Sequence, residues 1–422
     1  MENWRYTMFS INKWTFLLLL LPVSLLAQQT PVKLDTILNR IEKNNLLLQT
    51  YALKAESYKY KAKAGTAWMA PMVGVGTFMT PYPGQTVMDD RDKGSVMLQL
   101  EQDIPNPAKQ NAQKRYIESK GDVEMAGRAI AMNTFKAQAK SLYYTWIVAS
   151  QRIQILQEND KIMQMMKKIE QIRYPYNQSQ LSGVYKASAK IEENQNMIRM
   201  QQGDIAKAKA WLNSLMNLPG NQELEIDTNF TPKFIPESGL DTTLLARQRK
   251  DILQMEQNIR SMKLGVGAMK AQAKPDFKLR FDHMSPLGGM MPKAYSVMGM
   301  ISIPIAPWAS RMYKSEVKAM NYEIQAMEKE RSGMLQESQG MLYGMQYEIQ
   351  SMEKRIAAME DKIVPALKKT MDADFANYQE NKLQITAVMG SWEALTMMQN
   401  NVLDEKMKLY QMIIDYEKEL YR

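Results

Sequence analysis

The sequence predicts a mainly α-helical protein with a small β part, in which a unit of helix, two strands and two further helices occurs twice. Two observations support this prediction. Apolar residues recur at heptad spacing over several long stretches, which is typical of helices that pack along one another. The same order of patterns also returns about 200 residues later over six elements, which indicates an internal duplication.

The longest heptad pattern runs from residue 313 to residue 363. Positions spaced alternately three and four residues apart along this stretch are mostly apolar, as expected for a helix that supercoils with partner helices. Because no proline occurs between Pro307 and Pro365, we expect one helix of about 57 residues, roughly 85 Å long. Two consecutive steps of four form a stutter, which locally unwinds a supercoil, within the run Met341, Met345, Ile349 and Met352.

Residues 1–27 are predicted to be a secretory signal peptide. Arg5 and Lys13 precede an apolar run, residues 14–26, that is too short for a spanning helix, and Ala27 is a suitable residue before a cleavage site. The alternative is a buried N-terminal helix. A signal peptide predicts that the mature chain leaves the cytoplasm.

Composition excludes several classes of site. The net charge is +9, but acids and bases are interspersed and form no dense basic block, so we interpret the charge as a solvated surface and expect no nucleic acid partner. The chain has no cysteine, so disulfides and thiolate metal sites are excluded.

The first unit is predicted to span residues 28–220. A helical pattern from Leu34 to Gly65 precedes residues 71–104, where two alternating stretches flank a polar loop and predict a β-hairpin. A long helix follows, and a turn near residues 174–179 leads to a return helix. The return helix has the seam Val184, Ala187, Ile191, Asn194, Ile198, Gln201, Ile205, Ala208, Leu212 and Leu215.

Residues 221–239 form a linker, and residues 240–422 are predicted to be the second unit. Its hairpin covers residues 275–304, with alternation clearest at residues 277–282. The long helix described above comes next, followed by a turn near residues 377–382. The final helix has the seam Val388, Trp392, Leu395, Val402, Leu409, Ile413, Tyr416 and Leu420.

Four strands from one chain cannot close a barrel, and an open sheet would leave unpaired edges in lipid. Three copies of the chain would supply twelve strands, an even number within the range of outer-membrane barrels. The hairpins therefore predict a trimeric α-barrel joined to a twelve-stranded β-barrel. The alternative for the strands is a soluble antiparallel sheet with one wet face.

The duplicated order, the proline-terminated strand pairs and the turns at residues 176–181 and 378–383 resemble the TolC family of outer-membrane efflux proteins. This resemblance implies a homotrimer in the outer membrane whose helices extend into the periplasm. It also implies a periplasmic adaptor (membrane fusion) protein and an inner-membrane pump, of the RND type or another type, as partners, and outer-membrane lipid around the barrel. The implied function is a passive exit duct of a tripartite efflux system.

The chain departs from the family at two points. Family turns usually have a glycine shortly before the leucine, where this chain has Gln178-Ser179 and Glu380-Asn381. Some relatives have a lipid anchor on an N-terminal cysteine, and this chain contains no cysteine, so no such anchor is expected.

No catalytic constellation is predicted, so the chain is not expected to be an enzyme or to need a cofactor. The single histidine, His283, ends a predicted strand and is interpreted as a rim or interface residue rather than a ligand. Asp372 and Asp374 precede the second turn. By analogy with the family, they are candidates for a periplasmic gate, where three-fold symmetry would turn each carboxylate into a cation-binding ring.

Methionine is unusually frequent, with 37 residues. Thioether sulfur suits Cu(I) and Ag(I), and the family includes heavy-metal members such as CusC, so soft-metal export is one hypothesis. The alternative is that methionine packs helix seams in place of leucine. The weak candidates for metal binding lie around the second hairpin: Met290, Met291, Met298 and Met300.

The sequence thus favours an outer-membrane exit duct. A secreted coiled-coil scaffold or adhesin without a pore is the second hypothesis, and it gives no role to two amphipathic hairpins at equivalent places.

Overall fold

The computed structural model describes residues 31–304 and 306–422, and the predicted signal peptide lies outside these residues. The first half contains α1 (Leu34–Asn44), α2 (Leu46–Ala64), β1 (Met72–Phe78), β2 (Ser95–Ile104), α3 (Pro107–Arg173) and α4 (Leu181–Leu215). The second half contains α5 (Thr242–Gln248), α6 (Lys250–Ala271), β3 (Asp276–Pro286), β4 (Ala294–Ser302), α7 (Pro307–Ala358), α8 (Val364–Gln379) and α9 (Ile385–Glu419). The predicted class, long helices with a small sheet, is confirmed.

The four strands form one antiparallel sheet in the order β1-β2-β3-β4. The central pair β2–β3 joins the two halves of the chain, with Leu100 opposite Phe281. Next to the sheet, helices α2, α3, α6 and α7 pack side by side in that order. Further from the sheet, α3 packs on α4, and α8 packs on α9.

The seams of the two return helices match their predictions. Most predicted seam positions of α4 are buried, including Asn194, whose side-chain amide donates to the carbonyl of Leu156 at 2.7 Å. All eight predicted positions around α9 are buried. None of the helices in the described residues is both long and apolar enough to cross a membrane.

The seam of α7 differs from its prediction. Leu335 and Leu342 are buried, whereas the predicted Met341 is exposed and Met334 is only partly buried. The heptad steps allow either neighbour to continue the seam, and the protomer buries the leucine in both places. The predicted stutter through Met341 is therefore wrong for the contacts within one chain.

The predicted helix does not end before Pro365 but passes through it. Residues 359–363 form a π turn, in which the amide of Val364 donates to the carbonyl of Met359, and α8 continues the helix to Gln379. Proline lacks an amide hydrogen and its ring clashes with the carbonyl four residues back. A one-residue π insertion shifts that carbonyl, so the helix bends instead of breaking.

The predicted helix from residue 34 to residue 65 is interrupted, and the same interruption occurs in the second half. Asn45 separates α1 from α2 and Arg249 separates α5 from α6, both in an extended conformation. The Asn45 side chain donates to the carbonyl of Leu215 at 2.9 Å, and the Arg249 side chain donates to the carbonyl of Glu419 at 3.4 Å. Both bonds span 170 residues and tie the interruption to the end of the return helix, which supports the duplication.

The linker is packed rather than loose. Leu224 and Ile226 are buried in the main core, and Phe230 stacks on Tyr144 of α3 with ring centroids 6.0 Å apart. Further along, the Glu237 amide donates to the Tyr416 hydroxyl at 2.9 Å. The linker therefore covers one face of the helical layer at mid-height.

Candidate functional site

The sheet has an apolar face that nothing covers within the described residues. The register places alternate side chains of all four strands on this face. Its apolar members are between 40% and 77% exposed: Val73, Val75, Val96, Leu98, Leu100, Phe277, Leu279, Phe281, Tyr295, Val297 and Ile301. An uncovered apolar surface of this extent requires a further apolar contact or lipid.

The opposite face of the sheet is polar and its charges are paired. The Lys278 ammonium lies 2.6 Å from a Glu101 carboxylate oxygen and 3.4 Å from a carboxylate oxygen of Asp103. The guanidinium of Arg280 donates to Asp282 at 2.9 Å, and Asp282 is buried. Side chains of this chemistry suit a water-filled interior rather than lipid.

The four candidate methionines are divided between two places. Met298 and Met300 lie on the polar face of β4, opposite Arg280 and Lys278 of β3. Met290 and Met291 lie in the exposed turn between β3 and β4. A further pair of hairpin methionines, Met97 and Met284, are direct cross-strand partners on the polar face.

His283 lies on the apolar face, toward the turn end of β3, between Leu98 and Tyr295 of the neighbouring strands. Its Nε2 atom is 3.3 Å from the Ser285 hydroxyl. Within residues 31–304 and 306–422, no group of three histidine, cysteine, aspartate or glutamate side chains could hold a metal ion.

At the other end of the molecule, the two interhelical turns are joined by a polar network. The Arg173 guanidinium donates to the carbonyls of Tyr378 and Gln379 at 3.0 and 2.9 Å, and lies over the Tyr378 ring. The Tyr378 hydroxyl donates to a Glu170 carboxylate oxygen at 2.6 Å. These bonds join the α3–α4 hairpin to the α8–α9 hairpin.

The centre of this network is buried. Glu170 and Tyr378 are each 2% exposed, and burial, together with the bond to Glu170, raises the pKa of Tyr378 well above its usual range. The second Glu170 carboxylate oxygen, Oε2, has no hydrogen-bond partner among the described residues and faces Gly183. A Cβ atom at Gly183 would lie too close to that oxygen, so this close approach requires glycine.

Each turn has an asparagine with a positive φ angle. Asn177 and Asn381 each have φ of 59°, in the left-handed region that asparagine tolerates better than most residues. The following amides close each helix: Gln178 donates to the Arg173 carbonyl, and Lys382 donates to the Asn377 carbonyl. Both helices therefore end in a closed turn without a glycine.

Asp372 and Asp374 lie on α8, before the second turn. Asp372 is exposed and Asp374 is half-buried. Two residues along a helix are about 200° apart, so the two carboxylates point to different sides of α8. The structure does not bring them together within one protomer.

No protein-family model and no curated protein matches this sequence, but solved structures share its fold. The outer-membrane channel OprN is similar, with a TM-score of 0.71 and 14% identity over 92% of this chain and 89% of that chain. CusC, described as forming a transmembrane channel, is similar with a TM-score of 0.70 and 18% identity, over 92% of this chain and 91% of that chain. The outer membrane protein VceC of Vibrio cholerae has a TM-score of 0.69 and 15% identity, over 92% of this chain and 95% of that chain. The resemblance to the TolC family is thus confirmed for the fold.

The Tyr378→Phe variant tests the network between the hairpins. Loss of the hydroxyl leaves a buried carboxylate oxygen of Glu170 without its donor, so we expect the turns to open more easily, by about 1–3 kcal/mol. Hydrogen exchange of amides in residues 177–183 and 379–385 measures this opening. The control is Tyr174→Phe, at an exposed tyrosine of the first turn. Equal exchange in the two variants would contradict the coupling.

Proposed function

We propose that the chain forms the exit duct of an efflux system in the outer membrane, as a homotrimer with a twelve-stranded barrel and a helical tunnel in the periplasm. The observation that supports this most strongly is the sheet, which has one apolar face, one polar face and two edges that pair with no other strand of the described residues. Three such sheets joined edge to edge would expose the apolar face to lipid and enclose the polar face around water.

The fold supports the same proposal. The solved structures that the chain resembles are described as outer-membrane channels or proteins, and the match covers 92% of this chain. In the proposed assembly the linked turns form the periplasmic end, where an adaptor protein and an inner-membrane pump of the RND type or another type would dock. The duct itself performs no chemistry and needs no cofactor. Export of the chain requires the predicted signal peptide, residues 1–27.

A secreted scaffold or adhesin without a pore is the competing function. Such a protein could use the long helices, but it has no use for an uncovered apolar sheet face. Release of the protein from membranes by salt alone would favour the scaffold, whereas a requirement for detergent favours the duct.

Two single substitutions on β2 test the membrane placement. Leu98→Arg puts a charge on the apolar face, at a cost of about 2–4 kcal/mol at mid-membrane, whereas Gln99→Arg adds the same charge to the polar face. We expect Leu98→Arg to abolish detergent-extractable, heat-modifiable trimer in the outer-membrane fraction and Gln99→Arg to preserve it. If both variants reach the membrane equally, the two faces have been assigned wrongly.

For the gate, we infer that Asp372 and Asp374 line the periplasmic end of the duct as carboxylate rings. Rings of negative charge favour cations over anions, so the double variant Asp372→Asn/Asp374→Asn should move the reversal potential in a salt gradient toward zero. The measurement is single-channel recording in planar bilayers. Glu192→Gln/Asp204→Asn removes the same charge from exposed positions of α4 as a control. An unchanged reversal potential in the gate variant would refute this role.

For the substrate, general export is the broader proposal and export of Cu(I) and Ag(I) the narrower one, supported by Met298 and Met300 on the polar face. Soft cations bind thioether sulfur, so replacing the candidate methionines with leucine should weaken tolerance to these metals alone. The variant is Met290→Leu/Met291→Leu/Met298→Leu/Met300→Leu, in a deletion strain grown over copper, silver, zinc, dyes and detergents.

The control for that variant replaces four exposed helix methionines: Met165→Leu/Met200→Leu/Met312→Leu/Met397→Leu. Loss of silver and copper tolerance in the first variant only would support metal export. The opposite outcome is that both variants fully restore growth in a deletion strain that is sensitive to dyes and detergents. That result would support general export and would show that the candidate methionines have no role in metal export.

A further inference from the structure

The positive charge of the chain is concentrated where the helices meet the sheet. Residues 52–71, 105–119, 260–275 and 306–320 contain fourteen lysines and arginines and only three acids, Glu56, Glu118 and Glu316. This surplus of eleven exceeds the net charge of +9, so the rest of the chain is slightly acidic. We call these fourteen residues the basic collar: Lys54, Lys59, Lys61, Lys63, Lys109, Lys114, Arg115, Arg260, Lys263, Lys270, Lys274, Arg311, Lys314 and Lys318.

The four stretches form one band in space because they are the sheet-proximal ends of α2, α3, α6 and α7, which pack side by side. Collar residues lie between 2 and 18 positions from the nearest strand, so the band extends to roughly 27 Å below the sheet at 1.5 Å per residue. It covers the headgroup region and the adjoining water. The stretches are far apart in the sequence, and for this reason no basic block is visible there.

Much of the collar lies on the same face of the helical layer as the linker, which covers that face further from the sheet. The linker face is marked by Tyr143, which donates to the Asp227 carbonyl, and by Gln346, which donates to the Glu237 carbonyl. Eighteen residues are five turns of helix, so Met125 lies above Tyr143, and Glu328 lies above Gln346. Met125 shares a groove with Lys59, Arg115 and Arg260 and with the acids Glu56, Glu118 and Asp122. Glu328 shares another groove with Arg260, Lys263, Arg331 and Glu256.

Lys314 and Lys270 add positive charge to the same face, nearer to the sheet. Lys314 is five turns above Ser332, which lines the same groove as Glu328, and Lys270 is about two turns above Lys263. In a closed ring the linker face is the outer face, because a linker on the inner face would occupy the duct. The outward surface of the collar therefore includes Arg115, Lys270 and Lys314, none of which has a carboxylate within 4.0 Å among the described residues.

Most collar charges are not neutralised by the protein. Four of the fourteen have a carboxylate within 4.0 Å: Lys59, Lys109, Lys114 and Lys263. The other ten have no such partner among the described residues. Aromatic side chains lie at the same level: Trp68 precedes β1 and is 61% exposed, and Trp308 follows β4 and is 81% exposed. Lys61 and Lys63 stack on Tyr58 and Tyr60.

We propose that the outward surface of the basic collar binds anionic phospholipid headgroups of the leaflet that adjoins the helices. This inference rests on the proposed placement of the sheet in the membrane. With the apolar face in hydrocarbon, Trp68 and Trp308 lie at the interface, as exposed tryptophans of membrane proteins do. The unpaired lysines and arginines nearest the sheet then lie at headgroup level, where each contributes about 1 kcal/mol toward an anionic surface. Those further from the sheet lie in the adjoining water, where their attraction to the headgroups decreases over about a Debye length.

The test compares phosphatidylglycerol with phosphatidylcholine of the same acyl chains. Purified full-length protein in a neutral detergent is mixed with either lipid and passed through a gel-filtration column, and the lipid retained per protein is counted. We expect retention of phosphatidylglycerol to be about five-fold greater at low salt, and the ratio to fall toward one at about 0.5 M salt, because screening weakens exposed charge interactions.

The collar variant is Arg115→Gln/Lys270→Gln/Lys314→Gln, and the control Lys161→Gln/Lys168→Gln/Lys368→Gln removes the same charge from exposed positions near the other end. The proposal predicts that only the collar variant lowers the phosphatidylglycerol ratio, by about two-fold or more. Equal retention of both lipids by the unsubstituted protein would overturn the inference and leave the membrane placement intact. Retention of neither lipid, by a protein that stays in solution without detergent, would overturn the proposed function itself.

Discussion

The two unpaired edges of the sheet are the constraint on which the rest of the structure depends. Among residues 31–304 and 306–422, β1 and β4 each pair on one side only, and the apolar face between them is open. Edge strands and apolar faces of this kind are satisfied by further strands and by lipid. The proposed trimer would satisfy both, because each protomer would then be one segment of a closed assembly.

The helical layer below the sheet is arranged in the same way as the sheet. Helices α2 and α7 are the outer members of a layer of four, just as β1 and β4 are the outer strands. At the far end, the layer gives way to two hairpins that Arg173, Glu170 and Tyr378 hold together. The two ends thus differ in chemistry: an apolar surface with a basic collar at one end, and a buried polar network between turns at the other.

Heptad spacing and period-2 alternation predicted the helices, the strands and the seams of the return helices, because burial of one face imposes these periods on the sequence. Features that depend on contacts far apart in the sequence were missed. The break at Asn45 requires the carbonyl of Leu215, 170 residues away, and the bond between Tyr378 and Glu170 crosses from one hairpin to the other. The choice of Leu342 over Met341 and the π turn before Pro365 depend on packing and on backbone geometry that a heptad pattern does not encode. Asp372 and Asp374 are placed on α8, but their role depends on the other copies of the chain.

Disulfide scanning between the two sheet edges tests the central claim most directly, and the chain favours it because it has no cysteine of its own. Single cysteines placed along β1, at Val73, Val75 and Thr77, are combined with single cysteines along β4, at Tyr295, Val297 and Ile301. If β4 of one copy pairs with β1 of the next, at least one combination forms a covalent trimer in membranes under oxidising conditions, while variants with one cysteine do not. Only monomers or intramolecular products across all nine combinations would contradict the closed assembly.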